Sequence, residues 1–555
     1  MNAAKQTDSL RSSLRYEPHE LEFGTSGRRG KVVDLTQLEV YINALAELEY
    51  LQSLAKSEGG IVRGEEFFFA RDLRPSSDSY VPELEGRGEI AQAIVAAVRD
   101  AGMRAINLGA IPTPALACYA LAHGKGSVMV TGSHIPFDRN GYKTNSSTGE
   151  LLKQQEAPIN DQVRKVRARM YDQQRDQSLF NERGLFKTGH QDLPAEHREA
   201  RDAWIERFTS FFKGASLGGK RLLVYQHSAV GRDLLVEVLE RLDAQVIAAG
   251  RSDTFVPIDT ENIGERQLAV IQALADEATA KHGPLDAIVS TDGDSDRPLI
   301  LGVEPATAKA HFFGGDLVGM VVAEYLRADA VVVPISCNDA VDRGHLSSVV
   351  QTKTRIGSPF VISGMEEARR RGKTRVCGWE PNGGFLTGSD IEREGAVLPA
   401  LLTRDAILPI LGVLFAAAER GLTLVELFAL LPKRFSRAAL LENFPRSVGL
   451  KIVASFSPGA DDPQQSGNEI RKRLAKFFTP EMGFGTITHV DYTDGVRVLF
   501  DNGDVAHMRP SGNADELRIY AVADTQVRAD AIAAMGIAEP NGILRCMEKA
   551  VAADA

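Results

Sequence analysis

The chain is 555 residues long, 43% hydrophobic and 25% charged, which is the composition of an ordinary globular protein of about three or four domains at roughly 100–200 residues each. Its net charge of −10, from 64 basic and 74 acidic residues without a dense basic patch interleaved with aromatics, excludes a nucleic-acid-binding role. No stretch approaches ~18 uninterrupted apolar residues and the polar N-terminus has no apolar signal core, so no membrane partner and a cytoplasmic location are expected.

In chain order, strand-like residues 67–72, a helical pattern over 89–98 and a second strand at 104–109 predict a β-α-β unit. The apolar run Ser-Val-Met-Val at 127–130 reads as a buried strand that ends in Thr-Gly-Ser-His-Ile-Pro-Phe-Asp-Arg-Asn-Gly-Tyr-Lys at 131–143. Ser133 would stand where that strand turns out into a cleft, with Gly132 permitting close backbone approach and His134 and Lys143 placing basic groups nearby. A serine hydroxyl is a weak nucleophile and needs a base, a cation or a metal beside it. Residues 154–205 are highly charged and read as exposed helices and a linker, their charge run as a solvated face.

A second α/β unit begins at Arg-Leu-Leu-Val-Tyr (221–225) and closes with the strand-like run 285–290 leading into Thr-Asp-Gly-Asp-Ser-Asp-Arg at 291–297. Asp292, Asp294 and Asp296 alternate along that turn, so three hard oxygens can converge on one cation. An EF-hand loop is excluded, because Arg297 and Val303 stand where its Gly and Glu are needed. The carboxylates follow a buried strand end, where ligand sites of α/β proteins cluster. Three such ligands leave room on magnesium for a phosphate oxygen and water.

A third α/β stretch spans about 307–430 and carries Ala-Val-Val-Val-Pro-Ile-Ser (330–336) and Gly-Trp-Glu-Pro-Asn-Gly-Gly-Phe (378–385). Glu380 and Asn382 are placed to hydrogen-bond sugar hydroxyls there. Pro432 with Lys433 and Arg434 marks a hinge, and 457–467, rich in Ser, Pro, Gly and Asp, a mobile loop. In His-Met-Arg-Pro-Ser-Gly-Asn (507–513), the Arg509 fork, the Ser511 hydroxyl, the Asn513 amide and the backbone N–H freed by Gly512 suit a phosphate dianion, the alternative being an ordinary hairpin turn, since Pro-Ser-Gly-Asn is also turn chemistry. Such a substrate needs positive charge inside an acidic protein, and Arg29, Lys143, Arg297 and Arg509, from four segments, would supply it. The cysteines, Cys118, Cys337, Cys377 and Cys546, lack C-x-x-C spacing and suggest neither a zinc site nor a disulfide framework.

These four loops, in this order, resemble the α-D-phosphohexomutase superfamily over most of the chain, and Phe-Gly-Thr-Ser-Gly-Arg-Arg-Gly at 23–30 resembles its N-terminal signature. Gly-Ser-His-Ile-Pro, Glu-Pro-Asn-Gly-Gly-Phe, Arg-Ile-Gly-Ser-Pro-Phe (355–360) and Arg-Pro-Ser-Gly-Asn-Ala are most similar to the bacterial phosphomannomutase branch. The resemblance implies an α/β fold class: three similar α/β domains with mixed sheets and a C-terminal α+β domain around a central cleft. The corresponding boundaries are 1–205, 206–305, 306–430 and 431–555. By the same resemblance Ser133 carries the phosphoryl group, and Ser133 with Asp292, Asp294 and Asp296 holds Mg²⁺. Arg29 and Arg297 would belong to the catalytic site, Glu380, Asn382 and Ser358 would meet the sugar, and Arg509, Ser511, Gly512 and Asn513 would grip its phosphate.

The implied reaction interconverts hexose 6-phosphate and hexose 1-phosphate, with mannose as the expected sugar, through phosphoserine and a hexose 1,6-bisphosphate that serves as intermediate and activator. His134 and Lys143 are both candidates for moving the hydroxyl proton. Glucose or dual specificity is the alternative, a serine-dependent sugar phosphatase a more distant one, and a monomer or dimer is expected. The chain departs from the common pattern at Asn382 and Gly384, where many members carry Ser and often His. It departs also at Ser358, where several have His or Asp, and at Asn513, Ala514 and Asp515 in place of Thr-Glu-Pro. These departures bear on the sugar more than on the reaction.

Overall fold

The computed structural model describes residues 9–24, 27–261, 263–458, 463–511 and 515–553. The chain folds into two compact units, one comprising Met1–Gly315 with Asn382–Val425 and the other Asp316–Pro381 with Glu426–Ala555. Both are built on mixed or antiparallel sheets flanked by helices, a multidomain α/β architecture. Among the described residues no helix is long and apolar enough to cross a membrane.

In the first unit, one sheet has the strand order Arg28–Lys31, Arg139–Ser146, Ser127–Val130, Glu66–Arg71, Arg104–Ala110. Glu66–Arg71 runs parallel to both of its neighbours, while the pairs involving Arg139–Ser146 are antiparallel. The predicted β-α-β unit is present as Glu66–Arg71, Ile90–Asp100 and Arg104–Ala110. Phe67, Phe69, Val128 and Val130 bury one face of this sheet against Leu38, Leu45, Ile94 and Val98 of the helices Gln37–Ser53 and Ile90–Asp100. Each such side chain contributes about 1.5–3 kcal/mol of burial.

The charged stretch after residue 154 departs from the expected solvated face. The helix Glu156–Tyr171 buries Ile159, Val163, Val166 and Met170, and Arg167 donates from it to the fully buried Glu39 at 2.7 Å. Its apolar positions are interleaved with charges, so the run reads as polar although one face belongs to the core.

A second sheet orders Gln245–Arg251, Arg221–His227, Ala287–Thr291, Pro298–Val303 and Ala310–Phe312, parallel across the first three and antiparallel beyond. The central strands Ser127–Val130 and Ala287–Thr291, buried at every position, end directly before Ser133 and Asp292. Side chains at strand ends of an open sheet face the crevice in which α/β proteins bind ligands. The unit is completed by the antiparallel pair Phe385–Thr387 with Leu401–Asp405 and by the apolar helix Ile407–Arg420.

The second unit contains the parallel strands Ala330–Val332 and Val376–Trp379, the helix Ser358–Arg370 and a five-stranded antiparallel sheet. That sheet orders Phe435–Glu442, Glu516–Ala523, Val505–Pro510, Val496–Phe500 and Ile487–Asp491. The hinge expected at 432–434 is instead tied down. The Arg434 side chain is buried and donates to both oxygens of Asp339, to Asp524 and to the Gly503 carbonyl. The loop expected over 457–467 is shorter than its composition suggests, because a helix begins at Pro463 and runs to Leu474. Proline is favoured in a first helical turn, where its missing N–H costs nothing.

Candidate active site

Ser133 is held in a left-handed conformation, φ 54°, which costs a non-glycine residue on the order of 1–2 kcal/mol. Buried polar groups offset that cost. Ser133 N donates to Thr131 Oγ1 at 2.7 Å, and Thr131 Oγ1 donates to Asp72 Oδ2 at 2.8 Å. Arg74, fully buried over the Phe255 ring at 3.7 Å, donates to the carbonyls of Ser133 (2.9 Å), Ile135, Pro136 (2.8 Å) and Arg139 (3.0 Å). One guanidinium thus gathers four carbonyls of the loop. Position 132 must be glycine here, since a Cβ would lie 2.7 Å from Arg74 Nε.

The acidic turn is pinned as densely. His227 Nε2 donates to the Thr291 carbonyl at 2.8 Å, and Ser295, also left-handed at φ 57°, accepts from Gly231 N at 2.9 Å. Ser133 Oγ donates to Asp292 Oδ2 at 2.8 Å, while Asp292 Oδ1 accepts from the backbone N–H groups of Asp296 and Arg297. Asp294 Oδ2 accepts from Thr113 Oγ1 at 2.7 Å and Lys143 Nζ at 3.0 Å. Asp296 Oδ2 accepts from Lys143 Nζ at 3.1 Å and from Arg404 Nε and Nη2 at 3.1 and 2.7 Å.

The remaining oxygens, Asp294 Oδ1 and Asp296 Oδ1, are buried without a hydrogen-bond partner. Ligand oxygens of the three carboxylates lie within 4.8 Å of one another. A buried carboxylate oxygen left without a hydrogen bond is costly, and a hard divalent cation is a partner that these two oxygens fit together with the Asp292 carboxylate. The charges fit too. Burial and the two neighbouring carboxylates push Asp292 well above the usual carboxylate range. Burial acts in the same sense on Asp294 and Asp296, but Lys143, Thr113 and Arg404 hold Asp294 down, and Arg404, Lys143 and Arg297 hold Asp296 down. The charged form of Asp292 is therefore the one its surroundings disfavour, and a cation beside it would stabilise that form.

His134 Nδ1 lies 3.3 Å from Ser133 Oγ and accepts from Arg297 Nη1 at 3.0 Å, which assigns the ring proton to Nε2. Burial, then the cations Arg297 and Arg29, lower its pKa well below the ordinary histidine value, so the ring is neutral at pH 7. Arg29, paired across the sheet with Gly141, has its guanidinium brought down to about 10 by burial and by Arg297, and its buried Nε has no partner. Arg29, Arg297, Arg404 and Lys143 thus place four cations around three carboxylates and one hydroxyl, a site that attracts further negative charge.

Of the other residues expected at the site, Asn382 belongs to the same unit. Its carbonyl accepts from Thr260 Oγ1 at 2.8 Å and its Oδ1 from Gly384 N at 3.0 Å, which leaves the amide NH₂ as the donor for a ligand. Glu380, Ser358, Arg509 and Ser511 lie in the second unit, with Glu380, Ser358 and Ser511 buried. Arg509 Nε donates to Asp494 Oδ1 at 2.9 Å, and Asp494 Oδ2 accepts from Ile356 N at 2.9 Å, two residues before Ser358. The same Asp494 accepts His507 Nε2 at its carbonyl, so it joins the Arg509 loop to the start of the helix Ser358–Arg370. Gly512 and Asn513 lie outside the described residues.

Sequence reasoning missed Asp72, Arg74, Thr113, Arg404 and Asp494. Asp72 and Arg74 carried a signal, polar residues directly after the buried strand Glu66–Arg71. Thr113 and Arg404 carried none, because only the tertiary fold brings them to the acidic turn.

Models of the phosphoglucomutase/phosphomannomutase domains match the chain: alpha/beta/alpha domain I over residues 20–170, alpha/beta/alpha domain III over 314–435 and the C-terminal domain over 461–538. A phosphomannomutase of Sinorhizobium fredii is 36% identical over 94% of this chain and 98% of its own length. One of Salmonella muenchen is 36% identical over 91% and 92%. The chain belongs to the phosphoglucomutase/phosphomannomutase family. It is accordingly a hexose phosphate mutase, an isomerase-type phosphotransferase of carbohydrate metabolism. The fold agrees with that of a phosphoglucomutase/phosphomannomutase family protein from Burkholderia thailandensis, at a TM-score of 0.62 and 16% identity over 96% of this chain and 98% of that one.

Proposed function

We propose that the protein is a phosphomannomutase that shuttles a phosphoryl group through Ser133. The observation that carries this is the contact of Ser133 Oγ with Asp292 inside a triad of buried carboxylates ringed by Lys143, Arg297, Arg29 and Arg404. The two phosphomannomutases at 36% identity over nearly their full lengths favour mannose as the sugar. Asp292, Asp294 and Asp296, with Ser133, are the residues to hold Mg²⁺, which when bound neutralises charge on the phosphoryl oxygens.

Phosphorylated Ser133 meets a hexose monophosphate. The free sugar hydroxyl attacks phosphorus, the new O–P bond forms as Oγ–P breaks, and the sugar proton passes to the serine oxygen. The bisphosphate then turns, and its other phosphoryl group returns to Ser133, whose hydroxyl proton is already directed at Asp292. Arg297 and Arg29 stabilise charge on the group in transit. His134, neutral and with its Nδ1 engaged by Arg297, faces the site as a donor through Nε2, and Lys143 acts as counter-ion of Asp294 and Asp296.

Glu380, Asn382 and Ser358 are assigned to the sugar, and Arg509 and Ser511, with Gly512 and Asn513, to the phosphate that stays behind. The division into four domains belongs to the same reading. Its second boundary moves past residue 312, because Ala310–Phe312 pairs with Pro298–Val303, in keeping with the domain III match beginning at 314. Incubation with Mg²⁺, a trace of hexose 1,6-bisphosphate and mannose 1-phosphate or glucose 1-phosphate, followed by phosphorus NMR, tests the proposal. Conversion to the 6-phosphate, faster for mannose, is the expected result. Release of inorganic phosphate would replace the mutase by a phosphatase, and faster glucose conversion would overturn the choice of sugar.

A further inference from the structure

Gly384 is a glycine for want of space and not for backbone freedom. Its φ is outside the left-handed region, yet a Cβ there would lie 2.4, 2.8 and 2.9 Å from Cδ, Cγ and Cβ of Arg404. The glycine reserves room for the stem of one arginine. Arg404 leaves the strand Leu401–Asp405 almost wholly buried, and both of the donors it directs at the acidic turn, Nε at 3.1 Å and Nη2 at 2.7 Å, reach the same atom, Asp296 Oδ2. Lys143 Nζ reaches that oxygen as well, at 3.1 Å. Three donors on Oδ2 fix the rotation of the carboxylate and leave Oδ1 without a hydrogen bond.

If Arg404 were only a counter-charge, a point cation would suffice, and Lys143 and Arg297 already supply two. A third cation beside a cation site works against metal binding, so its two-donor geometry must give the larger benefit. Groups that orient metal-ligating side chains typically change affinity by about 10–100-fold when removed.

We propose that Arg404 is a positioning residue of the cation site: with its stem seated against Gly384, it locks Asp296 so that Oδ1 is presented to a divalent cation. This rests on the reading of the aspartate triad as the metal site. The test is titration of the full-length protein, without substrate, with Mn²⁺ followed by the paramagnetic resonance of the free ion. Wild type is compared with Asp294→Asn, Arg404→Lys and Gly384→Ala, and thermal unfolding identifies variants that are folded.

Wild type is expected to bind Mn²⁺ and Asp294→Asn to lose that binding. Arg404→Lys, which keeps the charge but not the fork, and Gly384→Ala, which keeps both but displaces the stem, should each weaken binding about tenfold or more. The double variant should be no weaker than the worse single one, since both act on one contact. If Gly384→Ala does not fold, Arg404→Lys decides alone. Affinities of the folded variants equal to or tighter than wild type would overturn the inference while leaving the metal site standing. Failure of wild type to bind Mn²⁺ would overturn the metal reading itself, and the positioning role with it.

Discussion

The acidic turn of the first unit and the Arg509 loop of the second both handle phosphate in this account, yet they are built differently. Around the turn, Asp294 and Asp296 are at most 1% exposed and Lys143 8%, and Asp292 Oδ1, Asp294 Oδ2 and Asp296 Oδ2 are each bound by two or three protein donors. At the Arg509 loop the arginine and its partner Asp494 are 18% and 19% exposed, and a single hydrogen bond joins the two side chains. A dry, over-determined site makes electrostatic interactions strong and costs no reorganisation when charge develops. A loop that must admit, hold and release a phosphate needs donors that remain accessible to water and ligand. The contrast fits the proposal that the chemistry lies at Ser133 and the grip at Arg509.

The sharpest break in that comparison is Ser133→Ala. It should lower turnover roughly 10⁴-fold or more, since among the described residues no second hydroxyl donates to the Asp292 carboxylate, while hexose phosphate still binds with near wild-type affinity by calorimetry. Loss of binding together with turnover would mean that the two regions are not functionally separate. Next is Arg74→Ala, which leaves Asp72 buried opposite no guanidinium and four loop carbonyls without their donor. A cost of about 3–5 kcal/mol in urea unfolding of the first unit is expected. A cost below about 1 kcal/mol would show the Ser133 loop to be held by something else.

A smaller effect compares one buried histidine from each region. His227, beside the acidic turn, and His507, beside the Arg509 loop, each donate Nε2–H to a carbonyl and keep a buried, unpartnered Nδ1. Burial lowers both to about 4 from an ordinary value near 6.5, so each folded ring resists protonation that the unfolded chain accepts. Their contribution is complete above pH 6.5 and is lost as pH falls from 6.5 towards 4, about 2 kcal/mol for each ring by pH 5. Urea midpoints measured between pH 7 and 5 should therefore fall less steeply in His227→Gln and in His507→Gln than in wild type. An unchanged slope would mean that the rings titrate normally. The smallest expected effect is that of Arg509→Lys, which removes the fork but keeps the charge. It should raise KM for hexose phosphate about tenfold with kcat within a factor of about two, worth roughly 1.4 kcal/mol. A loss confined to kcat would place Arg509 with the chemistry.

The parts legible in the sequence were those in which polar residues follow directly on an apolar strand. Ser133 after 127–130 and the aspartates after 285–290 stand out because local order alone puts them at strand ends. What was hidden depends on pairing across the fold. Arg404 lies about a hundred residues from the carboxylate it holds, and Arg74 about sixty from the loop it clamps. Arg167 was misread for the same reason. A charge in a charged run looks solvated until its buried partner, here Glu39, is brought to it.

The central claim is that one phosphoryl group passes through Ser133, and its most direct test is covalent. The purified protein would be incubated with hexose 1,6-bisphosphate carrying ³²P and Mg²⁺, quenched in acid and digested, and the labelled peptide identified by mass spectrometry. Label on Ser133 that is chased off by unlabelled mannose 1-phosphate and recovered in sugar phosphate is the predicted result. Label on another residue, or label lost from Ser133 only as inorganic phosphate, would contradict it.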